Sequence, residues 1–451
     1  MTRNMTEGRP FQLILKFAVP LLIGNLLQQT YNIIDAAIVG RILGTKALAA
    51  VGATSSVQFL VLGFCIGSCT GFGVPIAKSF GAGKLEDMRD YIFNAMVLTA
   101  GLAVVLTVSC GFLCPWILHI LTVPGEIYRD AYEYQLVIFL GLPFTLLYNL
   151  LSSILRSVGD SRTPFMFLAV STVLNIGLDL FCIVVLRWGC AGAAIATITA
   201  QAVSGILCLV FIWKKVTVLK PSALNCAMKP NVAKNLLMMG VPMGLQFSIT
   251  AIGSMVMQSA NNGLGSIYVS GFTAGMRIKQ FVMCPFDAIG SAVSVFCGQN
   301  LGAGKIQRIR KGIREGLVIA VSYGMIAGLV MIFCGRTLSM LFVGKEAVEV
   351  LDASAKYLRC IGYFFWSLGF LNICRMSTQG LGFSGRAVFS GVAEMFARSI
   401  VSLGFVAYYG YTAICFADQT AWVAACCYIV PMCYMCVRKI AKSEAEICAT
   451  V

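Results

Sequence analysis

The sequence predicts an all-α polytopic membrane protein, twelve transmembrane helices in two pseudo-symmetric six-helix bundles, and three observations carry that prediction. Of 451 residues, 58% are hydrophobic and only 12% charged, with a mean hydropathy of +0.84. That is more apolar surface than a water-soluble fold of this length can bury. The apolar residues run in stretches of roughly 20, the length that crosses a bilayer as a helix, separated by short charged turns. A six-span pattern then occurs twice, on either side of a polar segment. Soluble enzymes, nucleic-acid modules and secreted disulfide scaffolds are excluded.

Read against their charged borders, the spans fall at approximately 13–39, 47–77, 91–116, 131–155, 163–186, 189–213, 235–260, 267–297, 313–335, 354–374, 387–408 and 412–437. The first follows a polar start, Met1 to Gln12, and runs too long for the core of a cleavable signal peptide. The second ends at Phe80-Gly-Ala-Gly-Lys84, the fourth and fifth flank Arg156 and Arg162, and the sixth runs into Lys214. The segment 214–234 contains Pro221, Pro230 and five lysines and reads as a cytoplasmic linker. It separates an N-terminal lobe, 1–213, from a C-terminal lobe with a cytoplasmic tail, 235–451. The later six spans repeat the order of the first six: basic residues from Lys305 to Arg314 follow the eighth, Arg375 and Arg386 flank the turn after the tenth, and a basic tail ends the chain.

The net charge of +15, from 34 Lys and Arg against 19 Asp and Glu, reports topology rather than nucleic acid. Segments on the side of the termini carry 23 basic residues and the opposite loops carry 8, which places both termini in the cytoplasm of a cell or inner membrane. Most of the 19 cysteines, Cys65, Cys69, Cys182, Cys208 and Cys297 among them, lie inside apolar runs and read as packing residues. Cys433-Tyr-Met-Cys436 has metal-ligand spacing but no second pair, and the single histidine, His119, is remote in sequence, so no metal and no cofactor is expected.

Phe80-Gly-Ala-Gly-Lys84 recurs as Leu301-Gly-Ala-Gly-Lys305, Phe17-Ala-Val-Pro20 faces Met239-Gly-Val-Pro242, and Ser157-Val-Gly159 faces Gly380-Leu-Gly382. Two six-span copies of equal topology are parallel repeats about an axis along the membrane normal, an arrangement that encloses a cavity able to open to either face. Neither Gly-Ala-Gly-Lys is a phosphate loop, since Leu85 and Ile306 stand where Ser or Thr belongs. Without a nucleotide motif, the energy for transport must come from an ion gradient or from the substrate.

Residues that break the repeat are the candidates for chemistry. Asp35 and Asp179 are carboxylates inside first-half spans, where charge is expensive. Each precedes an arginine, Arg41 and Arg187, on an outward-running helix, and their depths differ by only about 3 Å. Val256 or Met257 stands opposite Asp35 in the repeat, and Ser402 opposite Asp179. Gln28 and Tyr31 precede Asp35, and Asn175 precedes Asp179, at helical spacing, so each helix presents a polar stripe. Such a pair either binds helices together or exchanges a cation, a proton shared between the acids or Na+ held by both. The second-half charges Arg277, Lys279, Asp287, Glu394 and Arg398 read as mainly structural with a gating role open to them, Glu394 and Arg398 pairing at i and i+4 and Arg277 and Lys279 free to snorkel outward. Pro20 and Pro242 sit at equivalent places in the first span of each half, and a bend at Pro20 would turn the Asp35 stripe.

These residues together resemble the multidrug and toxin extrusion (MATE) transporters, in their DinF-like branch, over essentially the whole chain. The likeness rests on Pro20, Asp35 and Gly40 in the first span, the twin Gly-Ala-Gly-Lys turns, Leu155-Arg-Ser-Val-Gly-Asp-Ser-Arg-Thr-Pro164, Asn175 to Asp179, Phe272 to Gln280 and Gln379 to Gly382. It implies a monomeric antiporter in the lipid bilayer that moves organic, mostly cationic and amphiphilic compounds outward against inward H+ or Na+. It further implies that Asp35 and Asp179 are the cation-coupling carboxylates, with Gln28, Tyr31, Tyr134, Asn175 and Thr197 around them. The other bacterial branch carries an acid in the seventh span, where this chain has none between Lys234 and Ala260. A flippase for lipid-linked saccharides is the alternative, kept open by Arg277, Lys279 and Arg398. A membrane enzyme lacks any convergent nucleophile, base or metal cluster.

Overall fold

The computed structural model describes residues 4–121, 123–220 and 227–450. Residues 221–226, the centre of the expected linker, lie outside the described residues, as do the tail side chains beyond Lys442. The described chain is helical throughout: α1 Pro10–Ile38, α2 Thr45–Gly81, α3 Leu85–Ile120, α4 Gly125–Leu140, α5 Leu142–Ser157, α6 Arg162–Leu180, α7 Gly189–Lys215, α8 Pro230–Asn262, α9 Ser266–Gly302, α10 Ile306–Ser339, α11 Val348–Gly380, α12 Ser384–Ile400, α13 Val406–Tyr409 and α14 Tyr411–Thr450. Among the described residues, ten helical segments are long and apolar enough to cross a membrane, and α4 with α5, bent by 45°, supplies an eleventh. The 33-residue α11 is the remaining span, its apolar run interrupted by Asn372 and Arg375, both of which have partners within the protein. The twelve expected spans are therefore present, the fourth as a bent pair and the eleventh as α12 continued into α13.

Three spans widen into a π-turn where the sequence reading has plain helix: α1 at Val39–Leu43, α6 at Phe181–Val185 and α12 at Val401–Phe405. The last two occupy equivalent places in the repeat, whereas the α1 turn has no counterpart in α8, which is regular helix to Asn262. The Gly-Ala-Gly-Lys segments are helix stops. Gly83 and Gly304 take φ of +71° and +69°, a region open to glycine, and Lys84 N–H and Lys305 N–H then close back onto the carbonyls of Ser79 and Asn300 at 3.1 and 2.9 Å.

The helices pack as two compact units. One comprises Met1–Asn4 and Ile23–Gly244, the other Met5–Leu22 and Leu245–Val451. The units follow the two halves of the sequence except that each takes the start of the other's first helix. Ile14, Phe17, Ala18 and Leu21 of α1 belong to the core built around Phe286, Phe296, Phe365 and Trp422. The start of α8 lies on α2 through glycines: a Cβ on Gly71 would sit 2.6 Å from Gly240 Cα, and one on Gly67 2.6 Å from the Met243 carbonyl oxygen. Backbone contact this close is the helix pairing that small residues permit in a membrane. Both crossings fall just past a proline inside a helix, Pro20 before Leu22 and Pro242 before Gly244.

Candidate functional site

In the first unit α6 is pinned along α7 by Ser171 Oγ donating to the Ala200 carbonyl at 2.7 Å and Ser204 Oγ to that of Phe167 at 3.1 Å. That pairing sets Asn175 and Asp179, 2% and 0% exposed, against Thr197. With its amide oriented to match donor to acceptor on both sides, Asn175 donates to Asp179 Oδ2 at 2.8 Å and accepts from the Thr197 N–H at 3.1 Å. The Thr197 hydroxyl hydrogen-bonds the Tyr31 hydroxyl of α1 at 2.9 Å. Tyr31 is one turn before Asp35, so this bond turns the acid of α1 toward that of α6, and the two carboxyl groups lie within hydrogen-bonding reach. Tyr134 of α4 is 5% exposed, reaches Gln58, and stands close enough to both acids to feel their charge. Just past the acids the two π-turns meet, and their Val39 and Ile183 share one apolar cluster with Ala47, Cys190 and Ala193. Extra residues at these turns offset the helical register next to the acids, a common setting for π-turns.

Asp35 Oδ1 and Asp179 Oδ1 are both buried without a hydrogen-bond donor. Buried carboxylate oxygens are normally supplied with donors, because a missing one costs about 1–3 kcal/mol. Two acids at hydrogen-bonding reach, each with an unsupplied oxygen, leave room for a proton between them or for a small monovalent cation. The structure thus brings together Tyr31, Asp35, Tyr134, Asn175, Asp179 and Thr197. Gln28, two turns before Asp35, is exposed and makes no hydrogen bond among the described residues, so it stands outside the network. Among those residues no group of three or more His, Cys, Asp or Glu is placed to hold a metal ion.

The second unit answers the same charges differently. Glu394 and Arg398 pair at 2.9 Å, as their i, i+4 spacing predicts, but they belong to a larger buried network. Arg375 meets Glu394 at 2.8 Å, Arg398 meets Asp418 at 3.0 Å, and Lys279 meets Asp418 at 2.7 Å, with the Tyr357 hydroxyl donating to Asp418 at 2.8 Å. Lys279 therefore does not snorkel outward: it is 6% exposed and held on an acid, which repays the burial of its ammonium. Arg277 is exposed. Asp418 is the residue the sequence reading passes over, although a carboxylate inside the twelfth span carries the same signal as Asp35. At the repeat offset that sets Ser402 against Asp179, Arg398 faces Asn175. Where the first unit has an amide beside an acid with an open valence, the second has a built-in guanidinium. Lys279 and Arg398, bound to acids, are not free to grip a pyrophosphate.

The MatE family profile matches residues 20–181 and 242–403, one copy in each half. A probable multidrug resistance protein of Bacillus subtilis, YpnP, is 32% identical over 282 residues, 62% of this chain and 63% of that protein. A probable multidrug resistance protein of Thermotoga maritima, NorM, is 27% identical over 277 residues, 60% of this chain and 59% of that one. A FAD transporter of Shewanella oneidensis is 25% identical over 281 residues, 60% of this chain and 61% of that one. The chain thus spans about three-fifths of the length of these curated relatives. Among solved structures, an outward-facing multidrug resistance MATE-family transporter of the MOP superfamily superposes with a TM-score of 0.91 at 21% identity, covering 97% of this chain and 98% of that one. A MATE protein in complex with MaL6 does so with a TM-score of 0.90 at 22% identity, covering 98% and 100%. At these identities the superpositions speak for the fold alone.

Proposed function

The chain belongs to the MatE family, and on that premise we propose that it is a secondary active exporter, not an enzyme, that antiports organic, mostly cationic and amphiphilic compounds outward against inward H+ or Na+. One observation carries the reading: two carboxyl groups within reach of each other, each with a buried oxygen that has no donor among the described residues. In that site a cation is the missing partner, and the ring of Tyr31, Tyr134, Asn175 and Thr197 holds the acids in place for it. Cation loading satisfies both acids and favours one arrangement of the α1 stripe. Release leaves repelling carboxylates and favours another, so cation and substrate occupancy exclude each other across the cycle.

Pro20 lies inside α1 just before the helix passes from one unit to the other, which supports a bend there as the moving part. The lobes 1–213 and 235–451, joined by the 214–234 linker, would then give alternating access by rocking. The excess of basic residues on the side of the termini supports a cell or inner membrane with both termini cytoplasmic. We take the transporter to act as a monomer, and we place it in the DinF-like branch because it lacks an acid in the seventh span.

The test is uptake of ethidium into proteoliposomes under an imposed pH gradient, first without Na+ and then with it. Proton-driven movement lost in Asp35→Asn and in Asp179→Asn is the expected result. Movement only with Na+ would keep the site and change the ion. Full transport by both variants would refute the site, and no movement under either gradient would refute export of cations.

A further inference from the structure

Asp287, Glu394 and Asp418, three carboxylates deep within the spans of the second unit, are not equivalent. Glu394 is held by Arg375 and Arg398, and Asp418 by Lys279 and Arg398, so both are neutralised where they lie. Asp287, on α9, makes no ion pair among the described residues; its partner is the amide of Asn372 on α11, which donates to it at 3.1 Å. It is also exposed, whereas Glu394 and Asp418 are 3% and 0% exposed.

The place of Asp287 on its helix gives that exposure meaning. Thr273, Arg277, Gln280, Cys284, Asp287 and Ser291 follow one another at alternating steps of four and three, the spacing of one helix face, and all six are polar or sulfur-bearing. The remainder of α9 supplies Phe272, Ile278, Phe286, Ile289, Val293 and Phe296 to the unit's core. Asp287 lies 21 residues from the start of α9 and 15 from its end, about 31 and 22 Å along the axis, so it sits at the depth of the hydrocarbon. A carboxylate there facing lipid is costly, and an entire polar stripe facing lipid is not a stable arrangement. Thr273, Arg277 and Asp287, the exposed members of the stripe, must face water, whereas Cys284 between them is buried. Arg277, ten residues away, is about 15 Å distant and does not neutralise the acid. Gly290 completes the setting: a Cβ there would lie within contact of Asn372 Oδ1, so its absence is what lets the amide reach across to Asp287.

From the unpaired charge, the water-facing stripe and the amide that fixes the carboxylate, we propose that Asp287 is the carboxylate that binds the cationic group of the transported compound, separate from the Asp35 and Asp179 pair that binds the coupling ion. The assignment rests on the export reading and adds to it a division of labour: one unit holds the ion, the other reads the charge of the cargo.

The experiment compares ethidium binding by fluorescence anisotropy for the full chain in nanodiscs, wild type against Asp287→Asn and Asp287→Glu. Asp287→Asn should weaken binding by about tenfold or more, while Asp287→Glu, which keeps the charge, should stay within about threefold of wild type. Wild-type affinity in Asp287→Asn would overturn the assignment while leaving export intact. Equal losses in the Asn and Glu variants would overturn it too, since they would give the residue a packing role. A wild-type chain that neither binds nor moves ethidium would remove the export reading itself.

Discussion

Replacing Asp179 by Asn should make the protein more stable and inactive at once. Asp179 Oδ2 accepts from Asn175 at 2.8 Å, and an asparagine carbonyl can accept the same bond. The new NH2 would point where Asp179 Oδ1 now lies, buried and without a donor, within reach of Asp35, whose own Oδ1 also lacks one. The substitution thus removes one unsupplied acceptor and gives a donor to a second. At about 1–3 kcal/mol for each buried group left unmade, the gain in stability should be at least about 1 kcal/mol. Function should move the other way, because a site that satisfies itself no longer needs a cation. Two assays check this on the same preparation. Thermal unfolding in detergent, followed by fluorescence-detected size exclusion, should show a rise in midpoint for Asp179→Asn when neither protein is given Na+ or acid. A pH indicator in weakly buffered solution should show proton release on ethidium binding for the wild type and none for the variant. A variant less stable than wild type, or one that still releases a proton, would show that the acids are a structural pair and refute the reasoning.

Three other outcomes follow from the same contacts. Lys279→Met should cost about 3–5 kcal/mol, because it leaves Asp418, 0% exposed, with one cation fewer in a buried network, and thermal unfolding of the purified chain measures the loss. Gly71→Ala should destabilise strongly, since its Cβ would sit 2.6 Å from Gly240 Cα, whereas Gly101→Ala, with nothing within 4 Å, should gain up to about 1 kcal/mol in helix propensity by the same measurement. Arg308→Ala should release the segment before α1, because Arg308 donates to the carbonyls of Gly8 and Met5 at 2.9 and 3.2 Å and to Asn300 Oδ1 at 3.0 Å; faster amide exchange over Met5–Gly8 with unchanged exchange in α10 is the expected result.

Much of this was legible because a bilayer makes sequence periodicity explicit. Each span must satisfy its own backbone, so a run of apolar residues closed by Gly83 or Gly304 can only be a helix and its stop. Asp35 and Asp179 stood out for the same reason, since charge inside an apolar run is rare enough to need a purpose. Polar residues in weakly marked surroundings were harder. Gln28 has the right phase to Asp35 yet lies outside the network, because phase gives a direction and not a distance. Lys279 read as a snorkelling residue because its partner, Asp418, is 139 residues away on another helix.

The sequence by itself determined the membrane class, the twelve spans, the twofold repeat and the first-half acids that break it, because each of these is a local property of hydropathy, spacing or identity. Only the tertiary structure decided which charges meet. It set Thr197 under Tyr31 and so brought Asp35 to Asp179. It closed Lys279, Arg375, Glu394, Arg398 and Asp418 into one network, and it left Asp287 hydrogen-bonded to an amide with no ion pair among the described residues. Those outcomes depend on how helices rotate and slide against one another, which glycine contacts and π-turns fix through packing between residues far apart in the chain. No pattern along a single helix contains that information.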